Sequence, residues 1–143
     1  MRRALALALL LTGCPEKSRS TDTRSTALAT AAQRVGFLCE YLLCPTTPED
    51  AAFHVVFHDN SGFLAGPSDA DIVAVVKVKP EDIPRWSMGC ASKRLEAKPA
   101  WLEGLLAERG WKPTTIPDTV QCGAERRVLH VKEGLVAREV SSH

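Results

Sequence analysis

The N-terminal segment constrains the fold most strongly, because it decides which part of the chain is available to fold. The sequence opens with Met1-Arg2-Arg3 and continues with an apolar run from Ala4 to Leu11. A charged start, a short apolar stretch and small residues before a cleavage site are the parts of a secretory signal. The run is too short to span a bilayer, which needs about 20 apolar residues. We therefore expect an exported chain whose folded part follows this segment.

The segment closes with Leu11-Thr12-Gly13-Cys14. These four residues resemble, position by position, the lipobox of bacterial lipoprotein signal peptides, and the resemblance covers residues 1–14. It implies that residues 1–13 are a signal peptide cut after Gly13. It also implies lipid on the Cys14 thiol and acylation, for instance by palmitate, of the new amine. Several acyl chains anchor stably, since each buried CH₂ contributes about 0.8 kcal/mol. An ordinary secreted signal with a chance cysteine is the alternative.

The same resemblance implies a location at the cell envelope, with the domain facing the periplasm or the cell surface. In such lipoproteins an Asp after the lipidated cysteine favours the inner membrane. Here Pro15 follows, and the absence of that Asp favours the outer membrane. The following segment is polar and has no apolar side chain to anchor it. Such a segment cannot offset its own ordering entropy. We therefore predict that residues 14–25 comprise the lipidated cysteine and a flexible tether.

Length and charge limit what the remaining chain can be. Removal of the signal from the 143 residues leaves about 130, which suits one domain with its own core, and we place this domain at 26–143. The chain has 18 Lys+Arg against 17 Asp+Glu, and Arg2 and Arg3 leave with the signal. A nearly neutral domain lacks the basic surface that nucleic-acid binding needs, so we predict no nucleic-acid partner.

Four cysteines remain beside Cys14, namely Cys39, Cys44, Cys90 and Cys122. An even number of cysteines in an exported chain favours disulfides, and three connectivities are possible. We predict Cys39–Cys44 and Cys90–Cys122, because the first pair is close in sequence and lies at a predicted helix end. Zinc sites prefer cysteine pairs at Cys-x₂₋₄-Cys spacing, and the last two cysteines are isolated. We predict no metal and no cofactor.

Apolar residues at spacings of three and four predict a helix over 26–43. Ser25 or Thr26 would cap its start and Pro45 would end it. The alternative is that the Ala-rich part stays loose and only 33–43 is helical. Two further helices are predicted from prolines that open them, and the predicted stretches are a short one at Pro80, limited by Pro84, and one from Pro99 to a Gly110 cap.

Alternation of apolar and polar side chains predicts four strands. A turn at Lys132-Glu133-Gly134, with a positive φ at the glycine, would join the last two into a hairpin. The stretch 114–123 contains helix and strand breakers and is predicted to be irregular. The four predicted strands are Phe53–His58, Ile72–Lys79, Arg126–Val131 and Leu135–Val140.

Together these elements predict an α+β fold, with an antiparallel sheet of about four strands and two to three helices packed on one face. The other face would be at least partly solvated. It would carry His54, His58, Lys77 and Lys79.

The chain offers one arrangement with the residue types of a hydrolase, His58-Asp59-Asn60-Ser61-Gly62. Nucleophilic catalysis needs a geometry of nucleophile, base and acid rather than adjacency, and these residues are also typical of a loop. His54 and His58 are equally poor metal ligands, because four residues along a strand separate their Cα atoms by about 13 Å.

Apolar residues in the predicted loop raise a different possibility. Phe63 and Leu64 must either fold back onto the core or present an apolar tip to a partner. Trp86 lies near helix breakers and could line a groove, although core or core-edge packing is the favoured alternative. The possible binding surface that we predict consists of His54, His58, Asp59, Ser61, Phe63, Leu64 and Trp86.

These observations favour a non-catalytic, lipid-anchored envelope module that binds another protein or an envelope polymer. Two alternatives stay open. One is an envelope hydrolase that uses His58 with a nearby Asp. The other is an inhibitor or immunity lipoprotein that protects the cell from an enzyme acting on its wall.

Overall fold

The computed structural model describes residues 20–59, 69–93 and 97–141. These residues form an α+β fold built on one antiparallel sheet. The strands are β1 (Thr21–Arg24), β2 (Asp50–His58), β3 (Asp69–Lys77), β4 (Ala91–Lys93), β5 (Asp118–Cys122), β6 (Glu125–His130) and β7 (Leu135–Ser141), and the helices are α1 (Ala31–Tyr41), α2 (Ile83–Trp86) and α3 (Ala100–Glu108).

The fold class is confirmed, but the predicted strand number is too small. The sheet has seven strands in the order β1-β2-β3-β7-β6-β5-β4. The four predicted strands correspond to its central part, β2, β3 and β7, with β6 beside them. Strands β2 and β3 pair antiparallel despite their long connection. None of the helices in the described part of the chain has the length and hydropathy needed to cross a bilayer.

Of the three strands that the sequence did not predict, β1 and β4 are the edges of the sheet, and β5 lies next to β4. Strand β1 is polar and falls within the stretch predicted to be a tether, yet it pairs with β2 from Thr21 to Arg24. Strand β4 is fully exposed, and β5 comes from the stretch predicted to be irregular. Edge strands often carry polar or charged residues, which blurs the alternating pattern. Cys14 and the other tether residues before Ser20 lie outside the described residues.

Helices cover both faces of the sheet, so the prediction that they pack on one face is wrong. On the first face, α1 buries Leu38 and Leu42 against Phe53 and its neighbours. On the second face, α3 buries three leucines in a separate core. Because both faces are covered, the consecutive residues Ala51, Ala52 and Phe53 are all fully buried. In a sheet with one solvated face, every second side chain would be exposed. The second core comprises Ala52, Val75, Leu102, Leu105, Leu106, Val128, Leu135 and Ala137.

Helix α1 begins later than predicted. Its N-cap is Thr30 rather than Ser25 or Thr26, and Thr30 and Gln33 form a capping box in which each side chain bonds the other's backbone. Ser25 instead lies in a one-turn 3₁₀ helix, fully buried, where its Oγ accepts from the amide of Phe53. The buried side chain of Ser25 therefore joins the end of β1 to β2.

Both predicted disulfides are confirmed. Cys39–Cys44 closes the corner after α1, and Cys90–Cys122 joins the start of β4 to the end of β5. The second bond therefore holds the exposed edge strand to the rest of the sheet.

A buried ion cluster links these corners to the sheet. Glu125 accepts two hydrogen bonds from Arg138, at 2.6 and 3.0 Å, and two from Arg127, at 3.1 and 3.3 Å. The Nη1 atom of each arginine donates to a backbone carbonyl, that of Leu43 for Arg138 and that of Trp86 for Arg127. The first carbonyl belongs to the Cys39–Cys44 loop and the second ends α2. One carboxylate thus organises contacts between three parts of the chain.

The turn between β6 and β7 forms as predicted around Gly134, whose φ is 66°. A side chain there would also overlap the carbonyl oxygen of Val78, which packs against the turn. Neighbouring Glu133 holds the segment after α3, because it accepts hydrogen bonds from the amides of Thr114 and Thr115 and from the Thr115 hydroxyl. These bonds, that from the Thr115 side chain above all, lower the pKa of Glu133 to about 2.

His130 lies beneath this segment and is only 4% exposed. Its Nδ1 atom has no hydrogen-bond partner in the described structure. Burial lowers the pKa of His130, although the Thr115 backbone and Glu133 act in the opposite direction. The imidazole is therefore neutral in the folded protein near pH 7.

We expect the free energy of unfolding to fall as the pH drops below about 6.5, because the unfolded chain then binds a proton that folded His130 resists. The stabilising contribution is complete above that pH and is lost as the pH falls towards the lower pKa of the folded state. Urea unfolding from pH 7.5 to 5.0 should show a slope of up to about 1.4 kcal/mol per pH unit that His130→Leu reduces. An unchanged slope in His130→Leu would contradict the assignment.

Candidate functional site

The second face of the sheet is only partly covered by α3, and the uncovered part lies beside β1. We call this part the open face. The strand registers arrange it in three rows, because residues paired across neighbouring strands project to the same side. The rows are His58 and Asp69; then Asp22, Val56, Asp71 and Ser141; then Arg24, His54, Val73 and Glu139.

The next row along the strands shows why the open face ends where it does. This row consists of Ala52, Val75, Ala137 and Val128, which are fully buried under α3. In the three rows above, every side chain is half-buried or exposed. The same strands therefore supply core at one end and an accessible surface at the other.

His54 makes a close polar contact on the open face. Its Nε2 atom lies 2.6 Å from Oδ1 of Asp22, and the two side chains are 25% and 62% exposed. Asp22 belongs to β1 and His54 to β2, so the contact ties the edge strand to the sheet. It also holds the imidazole in a fixed orientation beside Val56.

His58 has looser contacts. Its Nδ1 lies 3.4 Å from the Ser20 hydroxyl and its Nε2 lies 3.5 Å from Asp71. A hydroxyl, an imidazole and a carboxylate thus occur in the order of a catalytic triad, but the contacts exceed the 2.6–3.2 Å reach of a working base. The imidazole is also 39% exposed. The hydrolase alternative stays a prediction, and we assign no nucleophile.

A shallow depression of about 230 Å³ occupies the centre of the open face. Val56 and Val73 form its apolar floor, between carboxylates on the neighbouring strands. Trp101 of α3 borders the depression, where its Nε1 donates to Glu139 at 3.3 Å. The depression is lined by His54, Val56, Asp71, Ile72, Val73, Glu139 and Ser141.

The electrostatics of the open face are dominated by carboxylates. Among the described residues of its three rows, Asp22, Asp69, Asp71 and Glu139 are acidic, whereas Arg24 is basic. With four carboxylates against one guanidinium, the surface carries net negative charge although the chain as a whole carries +1. A negative surface on a nearly neutral protein attracts cationic groups.

The predicted binding residues divide into three groups. His54 and His58 lie together on the open face, and Asp59 directly follows β2 at the same end of the sheet. Ser61, Phe63 and Leu64 lie outside the described residues. Trp86 is fully buried in the first core, with its Nε1 donating to Thr46 at 2.9 Å, so its assignment to a binding surface is wrong. The hydrogen bond explains how an indole can be buried entirely.

Sequence reasoning missed the carboxylates that complete the face. Asp22 was assigned to the tether and Glu139 to an ordinary strand position, and the chain separates both of them widely from β2. One signal was available for Glu139, since it alternates with the apolar residues of β7. The described residues nowhere bring three metal-ligating side chains of His, Cys, Asp or Glu together.

A second, larger depression of about 560 Å³ lies on the first face, between α2 and the β4–β5 edge. Pro80, Ile83 and Pro84 form one wall, and its charged lining residues, Lys93 and Asp118, have opposite signs. This groove offers no preference for one charge, so we assign the candidate site to the open face.

Comparison of the chain with protein-family models, with curated proteins and with solved structures finds no match.

Proposed function

We propose that this chain is a lipid-anchored cell-envelope protein that binds a partner through the open face. The single observation that carries the binding role is the sheet surface of His54, Val56, Asp71, Val73 and Glu139. There, polar groups converge around an apolar floor that none of the helices in residues 20–59, 69–93 and 97–141 covers. Such a surface suits recognition, because the apolar floor supplies contact area and the carboxylates supply orientation.

The proposed anchor and the open face lie close together along the chain. Fully extended, the residues from Cys14 to Thr21 reach at most about 25 Å. Thr21 begins β1, which forms one margin of the open face. A partner of this surface would therefore meet it near the membrane. The two disulfides support the proposal indirectly, because such bonds persist in oxidising compartments outside the cytosol.

Site-specific photo-crosslinking in the native envelope tests both parts of the proposal. A crosslinking residue in place of Val56 should capture a discrete partner from the membrane fraction, because Val56 lies at the centre of the open face. The matched control carries the same residue in place of Glu40, an exposed position on α1. Introduced in addition, Cys14→Ala should move the protein out of the membrane fraction.

Equal capture from the Val56 and Glu40 positions would reject the open face as the binding surface. Retention of the Cys14→Ala variant in the membrane fraction would reject the lipid anchor. The two parts of the proposal can therefore fail separately.

A further inference from the structure

We propose that the open face docks a basic, extended segment of a partner polypeptide. This inference rests on the proposed function, since it names the class of partner for the same surface. It follows from three properties of the face, namely the absence of a covering helix among the described residues, the sign of its charge and the position of its valines.

The sign of the charge selects the partner's charge. Asp22 and Asp71 flank Val56 from the two neighbouring strands, and Glu139 lies beside Val73 in the next row. His54 contacts Asp22, but Asp71 and Glu139 carry further carboxylates on the adjoining strands. Carboxylates placed around a common centre are complementary to ammonium or guanidinium groups.

The valines select the shape of the partner's side chains. Val56 and Val73 are half-buried, and the carboxylate-bearing strands on either side lie about 5 Å away. Lysine and arginine combine an apolar stem with a charged end. The stems would therefore pack on the valines while the charged ends reach the carboxylates. A small cation would use only the carboxylates and would leave the valines in water.

The same charge argues against a second copy of this chain as the occupant. Two open faces meeting each other would bring like charges together, which costs free energy. A neutral glycan could contact the valines and Trp101, but it would gain little from the concentration of negative charge. The charge therefore favours a basic segment over both.

The test uses the full chain in detergent and a five-residue peptide of alternating lysine and valine. Binding should be measurable by NMR at pH 7.5 and low salt, with the largest shifts at Val56 and Val73. The double variant Asp71→Asn with Glu139→Gln should weaken binding at least tenfold. The control, Glu40→Gln with Glu81→Gln, removes the same charge from exposed positions elsewhere and should change the affinity less than twofold.

A charge-reversal experiment tests the same inference if the neutralised variant loses structure, because a gain of binding cannot result from unfolding. Asp71→Lys with Glu139→Lys should bind the corresponding glutamate–valine peptide, which the unaltered protein should not bind. The inference is overturned if the lysine–valine peptide fails to bind the unaltered protein. It is also overturned if this peptide binds the neutralised variant and the control variant equally. It is also overturned if an N-acetylglucosamine oligomer shifts the valine signals more than the peptide does. Specific capture at Val56 together with no peptide binding would leave the proposed function intact and reject this inference alone.

Discussion

Replacement of Glu125 by alanine is expected to lower the free energy of unfolding by about 3 kcal/mol, because it leaves the buried Arg138 and the partly buried Arg127 without their anion. The Glu125 side chain is 16% exposed, and those of Arg127 and Arg138 are 15% and 7% exposed. Urea unfolding at pH 7 measures the loss. The exposed control Glu103→Ala on α3 should change stability by no more than about 0.5 kcal/mol. A loss below about 1 kcal/mol for Glu125→Ala would mean that the cluster contributes little.

The pH dependence gives the same cluster a second readout. Burial alone raises the pKa of Glu125, but the hydrogen bonds from Arg138 and Arg127 outweigh it, and the net pKa lies below the ordinary value of 4.5. The stabilising contribution is therefore complete above pH 4.5 and is lost as the pH falls through the lower pKa of the folded state. Glu125→Gln resembles the protonated form, so the stability gap between the unaltered protein and this variant should narrow in acid.

Removal of the Cys90–Cys122 bond is the second large expected effect. The bond closes a sequence separation of 32 residues, whereas Cys39–Cys44 closes one of 5. A longer closed loop restricts the unfolded chain more. The free energy of unfolding should therefore fall by about 4 kcal/mol when Cys90 and Cys122 are replaced by alanine, and by about 2 kcal/mol when Cys39 and Cys44 are replaced. Urea unfolding of the two double variants provides the matched comparison.

The position of the bond strengthens this expectation. Strand β4 has three residues, all exposed, and it pairs with β5 alone. Hydrogen exchange should therefore show faster exchange at Ala91–Lys93 after removal of Cys90–Cys122, and little change there after removal of Cys39–Cys44. The opposite order of stabilities would show that strain or residual structure outweighs loop closure in this chain.

The strongest sequence patterns predicted the central part of the fold. From Ile72 to Val76, strand β3 alternates between the two cores, and the Pro80 and Pro99 signals correspond to the regions of α2 and α3. These patterns are readable because each depends on residues close together in the chain. The disulfide pairing was predictable for a similar reason, since one pair is nearly adjacent and only one partner remained for each of the others.

The candidate site was predictable only in part. His54 and His58 share a face because they lie four residues apart on one strand. Period-two alternation was therefore enough to group them. Asp22 and Glu139 join them only because β1 and β7 take particular places in the strand order. Trp86 was misassigned because its hydrogen bond to Thr46 depends on a distant part of the chain.

Local order along the chain thus determined the central strands, the helix regions and the grouping of side chains within each strand, because backbone periodicity and proline act over a few residues. Tertiary structure alone decided the polar edge strands, the helices on both faces and the meeting of carboxylates with histidines. Those features depend on which distant segments become neighbours, and the burial of small residues such as Ala52 and Ala137 under α3 decides that outcome.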